Sequence, residues 1–453
     1  MQRDPSNFDA LVIGAGAGGM CAAARLSAHG YRTLLVESLD RIGGRASTRK
    51  VGDFLCNTGA LIIERDGAVA KTYEDLGLPL DLYVPPRAST VLRVGKKDIN
   101  VSEGFFGWLR NVAPGILSGI TKLIPPLRPK KGQSVSSWIG RFTRNEAVHH
   151  LLDNVLGAMF AANAQIFFAD VFLHYFSTDT SFKKFGLPPG GTIEVWKPLA
   201  KVVTDKGGEI WLNSTVKHLT FAPDGRVSGA VVESNGELKT VSCKVAISNA
   251  GPLQTVQLAG EGRFPDGYAQ EVRNATHPAA IITVHFASTQ PLANFSGLAL
   301  FSKTRRMVYA ANFSAPELQR APSGWYFYCG ASVPHPPCGE FNVEAEQALL
   351  IEDLREQFPG FEQARIIAVD VTAHDWPAQR AVSGYDLPRN TPIGNLWNVG
   401  DGVKPWAQGG TASCAEVARL VVNDILARYP LHALSKLNTP PPIDDVSALA
   451  AKD

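Results

Sequence analysis

The stretch Gly14-Ala15-Gly16-Ala17-Gly18-Gly19 comes directly after the short apolar run Ala10-Leu11-Val12-Ile13. Such a run, stopped by glycine, suits a parallel strand buried on both faces. Cys21, Ala22, Ala23 and Ala24 then lead to Leu26 in a helix-forming segment whose small side chains can lie close on a sheet. Thr33-Leu34-Leu35-Val36 predicts a second strand, which ends in Glu37. Strand, glycines, helix, strand and acid in this order predict a dinucleotide-binding unit. Gly14 permits the tight turn, Gly16 lets the backbone approach a diphosphate, and Gly19 allows close helix–strand contact. The phosphates would rest on the helix N-terminus, where free N–H groups and the helix dipole favour negative charge without a lysine. Glu37, 18 residues beyond Gly19, stands where a carboxylate accepts hydrogen bonds from the adenosine ribose.

The residues from Glu37 onward narrow the cofactor. The run Glu37-Ser38-Leu39-Asp40-Arg41-Ile42-Gly43-Gly44-Arg45 resembles the second dinucleotide motif of the flavin amine oxidase and phytoene desaturase superfamily, which implies FAD rather than NAD. In that resemblance Gly43 and Gly44 pass close to the flavin side of the diphosphate. Arg45 offers planar, charge-assisted donors to phosphate oxygens, while Arg41 is a surface or supporting residue. The segment Phe54 to Ala60 resembles the strand and small-residue turn beneath the isoalloxazine, implying ring contacts at Gly59 and Ala60. The family commonly has Asp where Asn57 stands, so the local hydrogen bonding differs. Asn213 to Val216 resembles the place where the backbone of Val216 binds the adenine edge, and Val245 to Pro252 resembles the exit strand. Asn395 to Gly402 resembles a strand ending in Gly-Asp, which implies that Asp401, after Gly400, receives a ribityl hydroxyl. Gly409-Gly410-Thr411 then opens a helix toward the flavin pyrimidine, where backbone N–H groups stabilise negative charge on the reduced ring.

The fold class implied is α/β: a Rossmann-type FAD-binding domain (GR2-like flavoprotein) with an inserted α+β substrate domain. The matches assign residues 1–65, 186–255 and 388–430 to the FAD-binding domain. By elimination, 66–185 and 256–387 form the substrate domain, and 431–453 a loosely packed tail. A chain of 453 residues with 45% hydrophobic residues can bury cores for both. Lys+Arg 44 against Asp+Glu 42, a formal charge of +2, is too balanced for general nucleic-acid binding. The six cysteines, scattered without close pairs, read as reduced thiols rather than a disulfide framework. The N-terminus has no signal-peptide pattern, and no run reaches the roughly 20 apolar residues of a spanning helix. These features indicate a cytoplasmic protein, free or peripheral to a membrane, and none specifies an oligomeric state.

The substrate region carries fewer marks. Phe105, Leu109, Val112, Ile116, Ile120 and Leu123 recur at helical spacing, with Phe106 and Trp108 beside them and Arg110, Lys122, Arg128, Lys130 and Lys131 around or after. Residues 104–127 read either as a membrane-interface segment taking up a lipidic substrate or as a buried wall or protein contact. Pro114, Gly115 and Gly119 argue against one clean helix. Trp376 and Trp406 are candidates for walls of the cavity, Trp406 for the flavin side. Arg380 is either a substrate-orienting cation or part of a structural salt bridge. Lys404 is expected to face solvent, with reach to the flavin region as the alternative, and Trp325 and Tyr328 to belong to the core. His149-His150 and His335-Pro336-Pro337-Cys338 lack metal-ligand spacing, so no metal is assigned, and no catalytic acid–base residue stands out. Two branches compete: phytoene desaturase-like action on carbon–carbon bonds of an apolar isoprenoid, carotenoid-like or lipidic substrate, and amine or other small-molecule oxidation. The lipidic stretch favours the first. A non-catalytic flavin-binding role is a third reading. No second Gly-x-Gly-x-x-Gly unit offers a nicotinamide site.

Overall fold

The computed structural model describes residues 6–87, 89–178 and 184–434. β1 (Ala10–Ile13), α1 (Ala17–Ala28) and β2 (Thr33–Val36) form the expected strand–helix–strand unit of a parallel sheet. That sheet runs in the order Leu396–Asn398, Val245–Ser248, β1, β2, Glu209–Trp211, and every neighbouring pair is parallel. Alternation within β1 explains how so short a strand is anchored. Ala10 and Val12 join the core with α1, while Leu11 and Ile13 join Val216, Val232 and Val256 on the opposite face. Because α1 buries Met20 to Leu26, its alanines let the helices Ile193–Asp205 and Gly410–Arg428 pack on it from both sides. An antiparallel sheet of three strands, Ser214–Phe221, Val227–Ser234 and Glu237–Ser242, covers the second face.

A seven-stranded mixed sheet stands beside this unit, with strands from residues 90–100 and 281–372. In its strand Ile281–Ser288, Ile282, Val284 and Phe286 pack with Leu350 and Leu354 of the helix Val343–Gln357. Ile281 and Thr283 point the other way, into a cavity. The helices Glu146–Phe160 and Ala169–Thr178 contribute Met159 and Tyr175 to the same cavity. Residues 104–123 form one continuous helix, Gly104–Leu123. The break expected at Pro114, Gly115 and Gly119 does not occur. Of the tail 431–453, Leu431–Leu434 form a short helix and residues 435–453 lie outside the described residues.

Candidate functional site

A cavity of about 920 Å³ follows the C-terminal ends of the parallel strands and continues between the two large sheets. Gly14, Gly16, Glu37, Gly43, Gly44, Arg45, Gly59, Ala60, Val216, Gly400, Asp401, Gly410 and Thr411 all line it. Gly19 does not, because its task is packing: a Cβ there would overlap the Gly14 carbonyl oxygen. Gly18 is equally constrained, since its Cβ would come within 2.9 Å of the Gly400 nitrogen. Gly14 takes φ +92° and Gly43 φ +93°, conformations that side-chain-bearing residues rarely adopt. The result is a trough of bare backbone at the start of α1, long enough to run from Glu37 and Val216 at one end to Ala60 and Thr411 at the other.

The Glu37 carboxylate accepts from Ala15 N–H at 2.6 Å and from Leu39 N–H at 2.9 Å. It therefore ties the glycine loop to the loop after β2 besides facing the cavity. Asp401 is gripped in the same manner. Arg45 donates to both its oxygens, Nη1 to Oδ2 at 3.0 Å and Nη2 to Oδ1 at 2.6 Å, and Arg380 N–H donates at 2.7 Å. Arg45 Nη1 also donates to the Pro377 carbonyl at 2.9 Å. Burial would raise the Asp401 carboxyl, but Arg45, Arg380 and Lys404 outweigh it and hold the group below the usual carboxylate range. The two residues read as separate cofactor contacts thus pair with each other across the fold.

Two expectations need correction. Lys404 does not face solvent: it is buried, pairs with Asp386 at 2.7 Å, and donates to the carbonyls of Ala381 and Asp401. Trp406 does not line the cavity. Ala407, at φ 62°, turns the chain so that Trp406 is 49% exposed and lies against His174, with ring centroids 4.8 Å apart. At Asn57, where the family commonly has Asp, the hydrogen bonding is that of an amide. Its nitrogen donates to Ala60 O and Thr192 Oγ1, and its oxygen accepts from Arg320, so it braces the turn at Ala60 from behind. Trp376 and Arg380 do line the cavity, while Tyr328 is buried in the core and Trp325 packs edge-on against Phe54. Asn249 was missed. It comes directly after the strand Val245–Ser248, and its carboxamide abuts Gly16, Gly18 and Gly400; a polar residue closing an apolar strand was its only trace in the sequence.

Residues 17–425 match the flavin containing amine oxidoreductase family. The chain belongs to this family. The flavin-containing oxidoreductase is 28% identical to the neurosporene-forming phytoene desaturase of Rhodobacter capsulatus over 53% of this chain and 52% of that enzyme. The match thus spans about half of that relative's length. It is 25% identical to the lycopene-forming phytoene desaturase of Pseudescherichia vulneris over 92% of this chain and 99% of that enzyme. An oxidoreductase from Methanosarcina mazei shares its fold, with a TM-score of 0.79, 24% identity, and coverage of 92% of this chain and 100% of that one. Family membership makes the cofactor a flavin. The dinucleotide form, FAD, fits the cavity, whose far end reaches the acid and strand edge at Glu37 and Val216. The fold is the Rossmann-type α/β architecture of FAD-dependent oxidoreductases, and the protein is a flavin-dependent oxidoreductase.

Proposed function

We propose that this oxidoreductase acts on a carbon–carbon bond of a long apolar substrate, isoprenoid, carotenoid-like or lipidic. The observation that carries the reading is the wall beyond the ring end of the trough, where Met159, Ile281, Leu298, Leu300 and Tyr309 line the cavity. Leu300 and Tyr309 are paired across adjacent strands of the large sheet. FAD supplies hydride chemistry when bound. The chain's part is then to hold the substrate still and exclude water, which an apolar wall does without an acid or base. The relation to the two phytoene desaturases supports this branch. Buried Lys404, with its ammonium committed to Asp386 and two carbonyls, gives no support to the lysine-linked water that, as an alternative to an aromatic pair, marks the amine-oxidising branch.

We also infer that the helix Gly104–Leu123 rests on an anionic lipid surface. It is built inside out: Gly107, Ser118 and Thr121 are buried, whereas Phe105, Trp108 and Leu123 are 67%, 56% and 82% exposed. Lys122, Arg128, Lys130 and Lys131 stand exposed around the end of this face, with Glu103 at its start. Apolar exposure with flanking bases suits a bilayer interface with acidic headgroups. No helix among the described residues is long and apolar enough to cross a membrane, so the contact lies along the surface.

An anaerobic absorbance experiment tests the activity. Bleaching of the flavin band by a polyene or lipid fraction is expected; bleaching by a panel of amines alone would replace this reading with the oxidase one. No bleaching by either would leave a flavin-binding protein without this chemistry.

A further inference from the structure

Arg45 and Arg380 both line the cavity, but only Arg45 has an anion committed to it. Arg45 spends both terminal nitrogens on Asp401. The Arg380 guanidinium makes no hydrogen bond or ion pair among the described residues, and its Nε is buried without a partner. Burial, with Arg45 next, lowers its pKa to about 10, so it remains charged at neutral pH. A buried cation lacking its own anion is costly, and the cost is relieved when a ligand brings the negative charge.

The surrounding residues identify which part of the ligand Arg380 meets. Glu37 and Val216 mark the adenosine end of the trough, and Ala60 and Thr411 the ring end. Between them Asn249 is wedged against Gly16, Gly18 and Gly400, beside the start of α1. Gly251, two residues further on, lies directly under Arg380: a Cβ there would stand 2.7 Å from its Cδ and 2.8 Å from its Nε. Gly251 has φ +105°, so both its backbone and the absence of a side chain keep this space for the guanidinium. The hydrogen bond from Arg380 N–H to Asp401 fixes the same segment from below.

We propose that Arg380 supplies the free cation for the FAD diphosphate, and that Arg45 is a buttress locked to Asp401. The glycine motif alone neutralises phosphates only with backbone dipoles; a guanidinium opposite them adds charge-assisted hydrogen bonds to the same oxygens. This rests on FAD being the cofactor and is independent of the substrate. An acidic group on a substrate would satisfy the same cation, and the experiment separates the two sources.

Arg380→Met and Arg380→Lys are prepared as holoproteins. FAD release is followed by flavin fluorescence across a range of KCl concentrations, and bound FAD is observed by ³¹P NMR. Arg380→Met should release FAD at least about tenfold faster, the effect of losing a charge-assisted bond, with a flatter salt dependence and displaced ³¹P resonances. Arg380→Lys should recover most of the wild-type rate. Release unchanged within about twofold overturns the proposal, as does faster release with unmoved ³¹P resonances, which would mark a merely structural role. Unchanged FAD retention with weakened binding of oleate would transfer the cation to the substrate and overturn it equally. If Arg380→Met retains no flavin, the lysine variant's release rate and ³¹P spectrum decide.

Discussion

Glu37 holds two loops at once, accepting from Ala15 and Leu39, so its carboxylate is oriented before any ribose arrives. Glu37→Gln should weaken FAD binding by about 1–3 kcal/mol, roughly five- to 150-fold, because an amide can no longer accept at both oxygens. Fluorescence titration of the flavin-stripped protein reads this directly, and an unaltered affinity would remove Glu37 from the site. His285 makes a different prediction. It is fully buried, with neither ring nitrogen hydrogen-bonded. Burial, then Arg320 and Arg49, lowers its pKa from 6.5 to about 3, with Asp370 the facing acid at 3.8 Å. The folded state therefore refuses a proton that the unfolded chain accepts. Stability is complete above about pH 6.5 and falls as pH drops from there toward 3. His285→Phe should abolish this slope: by pH 5 the wild type should have lost about 2 kcal/mol relative to the variant, compared with pH 7, in urea denaturation. Residues whose task is to lack a side chain, such as Gly14 and Gly43, were legible in the sequence because no other residue takes their backbone angles. Lys404 and Trp406 were not: the first finds its anion at Asp386 only through the fold, and the second is turned away by one left-handed residue, Ala407.

The helix Gly104–Leu123 shows how a correct period and an incorrect interruption arise from the same residues. Its apolar spacing was readable, yet Pro114 and the two glycines suggested a break. A proline forfeits one helical hydrogen bond, and an interior glycine costs about 1 kcal/mol. Packing against the helix Ala169–Thr178 offsets those losses, and tertiary packing leaves no local trace. The period could not tell which face turns inward, since the buried side consists of Gly107, Ser118 and Thr121. Replacing Phe105 and Trp108 with serine should reduce sedimentation with anionic vesicles several-fold, leave the flavin spectrum unchanged, and leave thermal stability within about 0.5 kcal/mol, as expected for exposed positions. Equal binding by variant and wild type would show that this face meets something other than lipid.

At the scale of the whole molecule, the parallel sheet was legible because β1, β2 and Val245–Ser248 are short, largely apolar runs and glycines stand close to every strand. The seven-stranded sheet was not legible, only a substrate domain assigned by elimination: Ile281–Ser288 is buried at nearly every position, so it lacks the alternation that marks a half-exposed strand. Nor could the sequence disclose how the two sheets are joined. Arg49 pairs with Asp370 at 2.5 Å, Arg320 reaches Asn57 and the Leu55 carbonyl, and Arg45 ties Asp401 to Pro377. Each links the cofactor side to the large sheet or its loops; Arg45 and Asp401, both on the cofactor side, do so through the Pro377 carbonyl and the Arg380 N–H. Asp401→Asn leaves Arg45 without its anion, an imbalance that costs about 3–5 kcal/mol in a buried pair. With the junction intact, calorimetry should show one unfolding transition that added FAD moves upward as a unit, by about 2.7 kcal/mol at a hundredfold excess over its Kd. In Asp401→Asn the transition should split, with FAD raising only the component that contains β1 and α1. A single shifted transition in the variant would mean that Arg49 and Arg320 suffice to couple the halves, and that Arg45–Asp401 serves the cofactor alone.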